Sequence, residues 1–303
     1  MKHSLDQIAQ GLSQLQDKGR IDTRRLYRGI ELSYLALKSD QLTLPHDALE
    51  HILEINYCRA GRMGWKMGNG NTVYLGPGDY SIHTMDVCAD SVMTLPNGYY
   101  EGLALCIDLD ALSQNPPELL AGTGITGAFL IQKFCKNSRH ASFARTAQSE
   151  SIFSGFYEQP EPLLLPYQKL KAMELLLYLG KRDVSANEHL ADYQAEQIEI
   201  IRNIHEQLTQ HMEEHFTIES LAKQYLMNPT TLKTVFKAVY GNSIAAHTKE
   251  HRMERAAKLL LETQDSISGI ARAVGYENQS KFTAAFKEYY QILPTEYRKQ
   301  HYA

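Results

Sequence analysis

The amino-acid sequence predicts an α+β protein of several domains. We expect an amino-terminal β-barrel with flanking helices, followed by an all-α domain in which two helix-turn-helix motifs are joined by a long helix. Three observations lead to this prediction: short apolar runs separated by turn clusters in residues 20–113, helical spacing of apolar residues in the last third, and a pattern there that occurs twice. A chain of 303 residues is also long for a single hydrophobic core.

The amino-terminal region, residues 1–115, has the features of short strands joined by tight turns. Its apolar or alternating runs include Leu53–Tyr57, Val73–Leu75 and Leu103–Leu109. Clusters rich in glycine, asparagine and proline separate these runs, for example at 68–71 and 76–79. Short strands at such regular spacing indicate a barrel or jelly roll.

A helical region, residues 116–185, is expected after the strands. The predicted helices are Phe129–Phe134, Phe143–Phe156 and Leu163–Lys181. An apolar stripe on the last of them, formed by Leu170, Met173 and Leu177, either packs against the barrel or forms the seam of a homodimer. The polar stretch that follows is interpreted as a linker, residues 186–196.

The last region, residues 197–303, contains the same helix-turn-helix pattern twice, at 217–237 and 266–287. Each copy begins with a hydroxyl side chain that can cap a helix, Thr217 or Ser266, and continues with apolar residues at helical spacing. Matching residues lie 49 positions apart before the turn and 50 positions apart after it. An ordinary helical bundle has no need for two such interruptions at the same place.

The break in each copy consists of residues that end one helix and begin another. Asn228 can cap a helix whose first residue is Pro229, while Gly275 suits a left-handed helix end and Asn278 the next cap. Between the copies, Ile244 to Glu262 predicts a long helix. It would hold the second helices of the two pairs about 34 Å apart, which is one turn of DNA.

These residues resemble the DNA-binding domain of the AraC/XylS family of bacterial transcription regulators. The residues that carry the resemblance are Ile270-Ala271, Gly275-Tyr276, Lys281-Phe282, Phe286-Lys287 and Pro294-Thr295-Glu296-Tyr297-Arg298. The resemblance covers roughly the last third of the chain and implies sequence-specific binding to promoter DNA. Gln291 stands where the family usually has glycine, so we expect the turn there to differ in shape.

The outward positions of the second helix in each pair are where this family places base-reading side chains. They are Thr230, Thr231, Lys233 and Thr234 in the first copy, and Gln279, Ser280, Lys281 and Ala284 in the second. Glutamine can pair with adenine, lysine with guanine, and threonine with a thymine methyl or a base edge. Ala284 can offer only a methyl group, so base preference should depend more on the first copy. Lys237 and Lys287 suit phosphate contacts, which position the protein without reading sequence.

For the amino-terminal region the resemblance is looser. The run Tyr74–Asp79 resembles a turn of the cupin-like sensor barrels in this family, and the region is loosely similar to the sensor half of the siderophore-responsive pyochelin-regulator subgroup. This implies a small-molecule effector, siderophore-like or otherwise aromatic, on which aromatic rings could stack and whose carboxylate Arg59 could bind. The candidate effector-binding residues are Tyr57, Arg59, Trp65, Tyr74, Tyr80, His83, Tyr99 and Tyr100.

Charge bears on DNA binding, and cysteine content bears on the cellular compartment. The chain carries a net charge of −4, whereas the residues from 217 onward have 12 basic and 8 acidic side chains. Including the helix from Ala195 makes that domain neutral, so net charge is weak evidence for DNA binding. Four cysteines without a CxxC spacing predict reduced, buried thiols in a cytoplasmic protein. Ile8, Leu12 and Leu15 predict a short amphipathic helix instead of a signal peptide, and no apolar run is long enough for a bilayer.

Patterns typical of catalysis or metal binding are scarce. The sequence contains no GxSxG, HExxH or phosphate-binding loop motif, and we predict no enzyme activity, cofactor or resident metal. His83, Met85 and Cys88 offer metal-binding atoms in one stretch, but in an extended strand Cys88 would point away from the other two. Ordinary core side chains are therefore favoured there over a soft metal site.

The sequence thus favours an effector-controlled transcription regulator that binds promoter DNA as a homodimer, with no membrane partner and with RNA polymerase as a further candidate partner. Two alternatives stay open. The β-rich domain could serve only in dimerisation, or the chain could be a cupin-type sugar or small-acid enzyme with a helical appendage. Activation and repression are equally compatible with the residues. A ligand-induced change in the fluorescence of Trp65, the single tryptophan, would separate the first two functions.

Overall fold

A computed structural model describes residues 4–44, 46–67, 70–89, 91–136, 140–157, 159–184 and 190–301. The chain divides into two compact units, residues 1–195 and 196–303.

The first unit is built on two antiparallel sheets. Its strands are β1 Gly19–Tyr27, β2 Ile30–Lys38, β3 Gln41–Thr43, β4 Ile52–Gly61, β5 Met63–Lys66, β6 Asn71–Leu75, β7 Tyr80–Thr84, β8 Val92–Thr94, β9 Tyr99–Asp108, β10 His140–Phe143 and β11 Tyr193–Gln194. One sheet has the order β1-β2-β9-β4-β7-β10 and the other β11-β6-β5-β8-β3. The strands predicted at 53–57, 73–75 and 103–109 correspond to β4, β6 and β9.

The predicted closed, cupin-like barrel is not confirmed. Within the described residues β1 and β10 are edge strands of one sheet, and β11 and β3 are edge strands of the other. The unit is therefore a pair of open sheets packed face to face, and the alternation of the sequence does not distinguish that arrangement from a closed barrel.

Helices flank the sheets of the first unit. They are α1 Ser4–Ser13, α2 Leu109–Gln114, α3 Gly127–Leu130, α4 Ala147–Ser154 and α5 Leu164–Lys181. Ile131–Cys135 continues α3 as a π-helical turn, which matches the predicted helix over 129–134. The helix predicted from Phe143 begins later, because Phe143 is the last residue of β10 and Thr146 caps α4.

Two apolar cores lie on opposite faces of the six-stranded sheet. The larger packs α2 to α5 against residues such as Leu53, Ile55 and Leu103. The second lies between the two sheets and is closed by Ile8 and Leu12 of α1. Both faces of β4 are buried along Ile52–Cys58, so the polar side chains of Glu54 and Asn56 are buried together with its apolar ones.

The second unit is all-helical. Its helices are α6 Ala195–Gln210, α7 Ile218–Gln224, α8 Pro229–Tyr240, α9 Ile244–Glu262, α10 Ile267–Ala273, α11 Gln279–Tyr290 and α12 Pro294–His301. The pairs α7/α8 and α10/α11 occupy the two segments in which the repeat was found. At about 1.5 Å per residue, α9 is roughly 28 Å long, somewhat shorter than the separation expected of one DNA turn.

The predicted linker, 186–196, is only partly a connection. Residues 185–189 lie outside the described part, but Leu190 donates a backbone hydrogen bond to Ser142, and Tyr193 and Gln194 pair with β6. Residues 190–194 thus belong to the sheets of the first unit. None of the helices in the described ranges has the length and apolar character needed to cross a membrane.

Candidate nucleic-acid interface and candidate effector site

The first helix pair is defined by its capping residues. Thr217 and Ser220 form a reciprocal capping box at the start of α7. The side chain of Asn228 accepts hydrogen bonds from the backbone of Thr230 at 2.8 Å and of Thr231, with Pro229 as the first residue of α8. Asparagine and proline are therefore placed where each satisfies or removes a free N–H at a helix start.

α8 separates an apolar face from a polar one. Leu232, Val235 and Phe236 are buried in the unit. The predicted base-reading and phosphate-contacting side chains lie on the outside, with Thr230, Lys233, Thr234 and Lys237 exposed and Thr231 half-buried.

α11 repeats this arrangement. Asn278 accepts a hydrogen bond from the backbone of Lys281 at 2.8 Å, while Phe282 and Phe286 are buried. The predicted contact residues Gln279, Ser280, Lys281, Ala284 and Lys287 are all exposed.

The turns that follow the second helices have the same backbone shape. Gly241 after α8 has φ 85°, and Gln291 after α11 has φ 63°. Both residues donate to the carbonyl four residues earlier at 2.8 Å. The expectation that Gln291 changes the shape of its turn is therefore wrong, since Gln291 adopts the left-handed conformation that glycine adopts in the first copy.

Arg298 connects α12, which contains the motif Pro294-Thr295-Glu296-Tyr297-Arg298, to other helices of the helical unit. Its guanidinium donates to the carbonyl of Leu260 at 3.2 Å and to that of Asp265 at 2.8 Å. α12 is thereby tied to the end of α9 and to the entry of α10. Tyr297 packs edge-on against Phe286 with ring centroids 5.4 Å apart.

A group of three histidines packs inside the helical unit. His205 of α6 lies 2.8 Å from His247 of α9, Nδ1 to Nε2, and His251 follows one turn later. This distance is that of an N–H···N hydrogen bond, and it is shorter than the roughly 3.3 Å between two nitrogens on a tetrahedral metal ion. Burial, followed by the neighbouring His251 and His205, lowers the pKa of His247 to about 3. His247 is therefore neutral and packs between α6, α8 and α9.

The three residues of the predicted dimer stripe on α5 differ in exposure. Leu170 is 52% exposed and Leu177 42%, but Met173 is 1% exposed and belongs to the larger core. Tyr167, one turn before Leu170, is exposed on α5 instead. Met173 is consequently removed from the candidate dimer face.

The predicted effector residues do not form one site. Strands present alternate side chains to opposite faces, so neighbours such as Tyr99 and Tyr100 cannot share a cavity. Tyr57 and Tyr80 lie in the larger core, where Phe153 stacks on Tyr57 at 4.3 Å. Five of the eight residues are placed elsewhere than in the cavity between the sheets: Tyr57, Arg59, Tyr74, Tyr80 and Tyr99.

Arg59 already has a carboxylate partner. Its guanidinium donates to Glu101 at 2.8 Å and lies over the ring of Tyr157 at 4.3 Å. The hydroxyl of Tyr99 donates to the other oxygen of Glu101 at 2.7 Å. The expected pairing of Arg59 with an effector carboxylate would first require this pair to open.

Trp65, His83 and Tyr100 line a small cavity between the sheets. Its volume is about 50 Å³. Since a water molecule needs roughly 10–15 Å³ on this scale and the pockets of drug-sized ligands measure about 300–1,000 Å³, the cavity suits an ion or a molecule of a few atoms. A siderophore-sized ligand does not fit it as it stands.

Polar groups converge at one end of this cavity. Nε2 of His83 lies 3.1 Å from Oε2 of Glu54 and 3.4 Å from Sγ of Cys88. Sγ of Cys88 also lies 3.6 Å from Nε2 of His46. We call these four residues the inter-sheet cluster. The expectation that Cys88 points away from His83 is wrong, because β7 ends at Thr84 and the turn after it brings Cys88 back.

The inter-sheet cluster holds several shifted pKa values. Burial opposes charge on each group, but Cys88 and Glu54 together outweigh it and raise the pKa of His83. Likewise, contacts with His83 and His46 outweigh burial and lower the pKa of Cys88, and His83 lowers that of Glu54. Titratable groups shifted in this way by specific neighbours are common at functional sites.

Sequence reasoning missed Glu54 and His46 as members of this cluster. Glu54 lies within an apolar strand, where a carboxylate stands out and could have been noticed. His46 is 42 positions from Cys88 in a segment without regular structure, and no local pattern connects the two.

Comparison with known proteins bears on the helical unit. The family described as a helix-turn-helix domain matches residues 221–300. The regulator AlkR of Acinetobacter baylyi is 35% identical over 88 residues, which is 29% of this chain and 29% of that protein. The virulence regulon activator VirF of Yersinia enterocolitica is 32% identical over 139 residues, 43% of this chain and 48% of that one.

A solved structure aligns with about a third of the chain. The C-terminal domain of AraT, a response regulator from Geobacillus stearothermophilus, is 34% identical over 33% of this chain and 84% of that one, with a TM-score of 0.32. This chain spans less than half the length of the two curated relatives above.

Proposed function

We propose that the whole protein is a sequence-specific, DNA-binding transcription regulator, because its carboxyl-terminal third is, as predicted, a helix-turn-helix domain of the AraC/XylS type. The observation that carries the proposal is the repeated α7/α8 and α10/α11 arrangement, in which each second helix buries its aromatic or aliphatic face and exposes short polar side chains directly after its cap. A helix that enters the major groove needs this polar outer face.

The exposed faces of α8 and α11 are expected to have different roles in DNA binding. α8 supplies Thr230, Lys233 and Thr234 for base edges, whereas α11 supplies Gln279, Ser280 and the methyl group of Ala284. Lys237 and Lys287 lie one turn further on, where a lysine suits a phosphate. Base preference is therefore expected to depend more on α8, and α11 to contribute more to affinity.

Substitution of two lysines tests this division. Lys233→Ala should weaken binding to a selected operator by about 1–3 kcal/mol and relax base preference at one position. Lys287→Ala should weaken all sequences alike and reduce the slope of log K against log salt by about one unit. Fluorescence anisotropy with operator and scrambled duplexes, over a range of salt, measures both effects.

Lys66→Ala is the matched control, because Lys66 is exposed in the first unit and its replacement changes net charge equally. That variant should bind like the unchanged protein. Equal losses and equal salt slopes for the Lys233 and Lys287 variants would contradict separate reading and positioning roles. If a selection from random duplexes showed no preference for any sequence, the proposed function as a sequence-specific regulator would be contradicted.

The amino-terminal unit is proposed to bind the effector in the cavity at Trp65. The cavity is lined by side chains of both sheets, among them polar ones, and its size favours an ion or a very small molecule over a siderophore. The alternative, a unit that only dimerises, predicts no response from Trp65. Titration of the full chain with divalent metal ions, sugars and ferric siderophores, followed by tryptophan fluorescence, distinguishes them.

A further inference from the structure

The inter-sheet cluster has the composition of a metal site. Imidazole and thiolate are the ligands that Zn²⁺ favours in proteins, and a carboxylate often completes the set. Donor atoms of Glu54, His83 and Cys88 all lie within 4.8 Å of one another. They come from β4, from β7 and from the turn after β7, so the fold brings them together from separate segments.

The spacing of these atoms fits one tetrahedral ion. With Zn–N and Zn–O near 2.0–2.2 Å and Zn–S near 2.3 Å, two ligand atoms stand roughly 3.3–3.6 Å apart. The separations are 3.1 Å from His83 to Glu54, 3.4 Å from His83 to Cys88 and 3.6 Å from Cys88 to His46. Glu54, His83 and Cys88 therefore lie within reach of one ion, whereas His46 is outside the group whose donor atoms all lie within 4.8 Å of one another and would have to move further.

Outer contacts already orient two of the ligands. Nδ1 of His46 lies 2.8 Å from the carbonyl of Asp47, which places the ring proton on Nδ1 and leaves the lone pair of Nε2 facing Cys88. The amide of Asn56 donates to Oε2 of Glu54 at 2.8 Å. Metal-bound histidines and carboxylates usually have such partners.

The immediate surroundings favour a bound ion over an empty cluster. Nε2 of His83 is buried and faces both the thiol of Cys88 and the carboxylate of Glu54. An ion would give each of these donor atoms a shared partner and displace the proton from the thiol. The cavity beside the cluster has room for an entering ion and its water.

We propose that Glu54, His83 and Cys88, with His46 as the fourth ligand, bind a single zinc-class divalent ion between the two sheets. Its role as the effector rests on the proposed function, whereas the binding itself does not. Trp65 reports on the site, since its ring centroid lies 5.7 Å from that of His83.

Cobalt titration of the full chain tests the site. Chelator-stripped, reduced protein should bind one Co²⁺ per chain with high affinity. The bound Co²⁺ should show a thiolate-to-cobalt charge-transfer band and intense visible bands, and Zn²⁺ should displace it. Cys88→Ser should abolish the charge-transfer band and weaken Zn²⁺ binding by more than about 100-fold, beyond the loss expected for an outer contact. Cys58→Ser, at a buried thiol outside the cluster, should leave both unchanged.

A wild-type chain without the charge-transfer band, or equal behaviour of the Cys88 and Cys58 variants, would overturn the site. If circular dichroism shows that Cys88→Ser does not fold, Glu54→Gln decides. It should keep the band and lose at least about 10-fold in affinity, and unchanged affinity would overturn the proposed ligand set.

DNA binding with and without Zn²⁺ separates this inference from the proposed function. A change in operator affinity that Cys88→Ser removes supports the ion as effector. Metal binding without any effect on operator affinity overturns only the effector role. Metal binding in a chain that recognises no DNA sequence overturns the regulator function and leaves the metal site standing.

Discussion

Single residues set the backbone of the turns in the helical unit. Leu226 in the first helix pair and Gly275 in the second occupy equivalent positions and have φ 51° and 78°. Gly241 and Gln291 form a second equivalent pair, with the glycine now in the first copy. Since left-handed backbone costs a non-glycine residue roughly 1–2 kcal/mol, each copy is strained at a different turn.

Replacement of Leu226 by glycine should stabilise the helical unit. Leu226 is 95% exposed, so its side chain contributes no packing that glycine would lose. After the entropy of glycine in the unfolded chain is counted, we expect a gain of about 0.5–1 kcal/mol for Leu226→Gly. Urea unfolding followed by helical circular dichroism measures it.

Leu261→Gly is the control with the same chemical change. Leu261 is partly exposed within α9, where glycine should cost about 1 kcal/mol. Destabilisation by both variants would show that the turn at Leu226 is not strained.

The reciprocal change at Gly275 should be strongly unfavourable. A Cβ there would lie 2.2 Å from the carbonyl of Met212 and 2.6 Å from the guanidinium of Arg252. Gly275→Ala therefore combines the left-handed penalty with a clash, and we expect a loss of at least about 2 kcal/mol in the same unfolding experiment. A loss no larger than that of Leu261→Gly would contradict the close approach of Met212.

At the scale of elements, local signals predicted the helices far better than the sheets. The helix pairs are specified by capping residues next to the apolar pattern, as at Thr217 and Asn228, so a short stretch contains all the information. β2 and β9 instead pair although they are about seventy residues apart in the sequence, with Leu32 opposite Leu105. No local stretch of sequence determines that register.

The two candidate sites also differ in whether local sequence or long-range strand pairing determines them. Exposure of Lys233 and Gln279 follows from helical period alone, and the structure agrees with it. The inter-sheet cluster depends on strand pairing and on a turn that returns Cys88 to His83, so only the folded unit reveals it.

The packing of α6, α8 and α9 around His247 should make the helical unit sensitive to acid. His247 faces His205 of α6, Tyr240 of α8 and His251 of α9, and its pKa falls from 6.5 to about 3. The folded unit thus excludes a proton that the unfolded chain binds below pH 6.5. Stability should be complete above pH 6.5 and fall by roughly 1.4 kcal/mol per pH unit from there towards pH 3.

His247→Gln should flatten this dependence, because glutamine does not titrate. Urea unfolding monitored by circular dichroism at several pH values provides the slopes. His211→Gln, at an exposed histidine, serves as control and should leave the slope unchanged. If His247→Gln retains the full acid sensitivity, another group is responsible for it.

At the scale of the whole molecule, we propose that exposed apolar residues of α5 in the first unit form the seam of a homodimer. Tyr167, Leu170 and Leu177 are exposed on α5, at spacings that place them along one side of the helix. Exposed apolar stripes of this kind commonly mark association surfaces. A dimer would present two copies of the helical unit, and simultaneous binding to two half-sites raises apparent affinity without any new contact.

Leu170→Glu should therefore abolish the dimer while leaving the fold intact. A buried carboxylate at the seam is unfavourable, but in the monomer this side chain faces water, so thermal stability of the separated chains should change by less than about 0.5 kcal/mol. Light scattering after size exclusion should show a dimer for the unchanged chain and a monomer for the variant, with weaker binding to a two-half-site duplex. Met173→Ala provides the contrast, since this buried residue should cost about 2–5 kcal/mol of stability without acting on the seam itself. A monomeric unchanged chain, or a Leu170→Glu variant that stays dimeric, would place the association surface elsewhere than on α5.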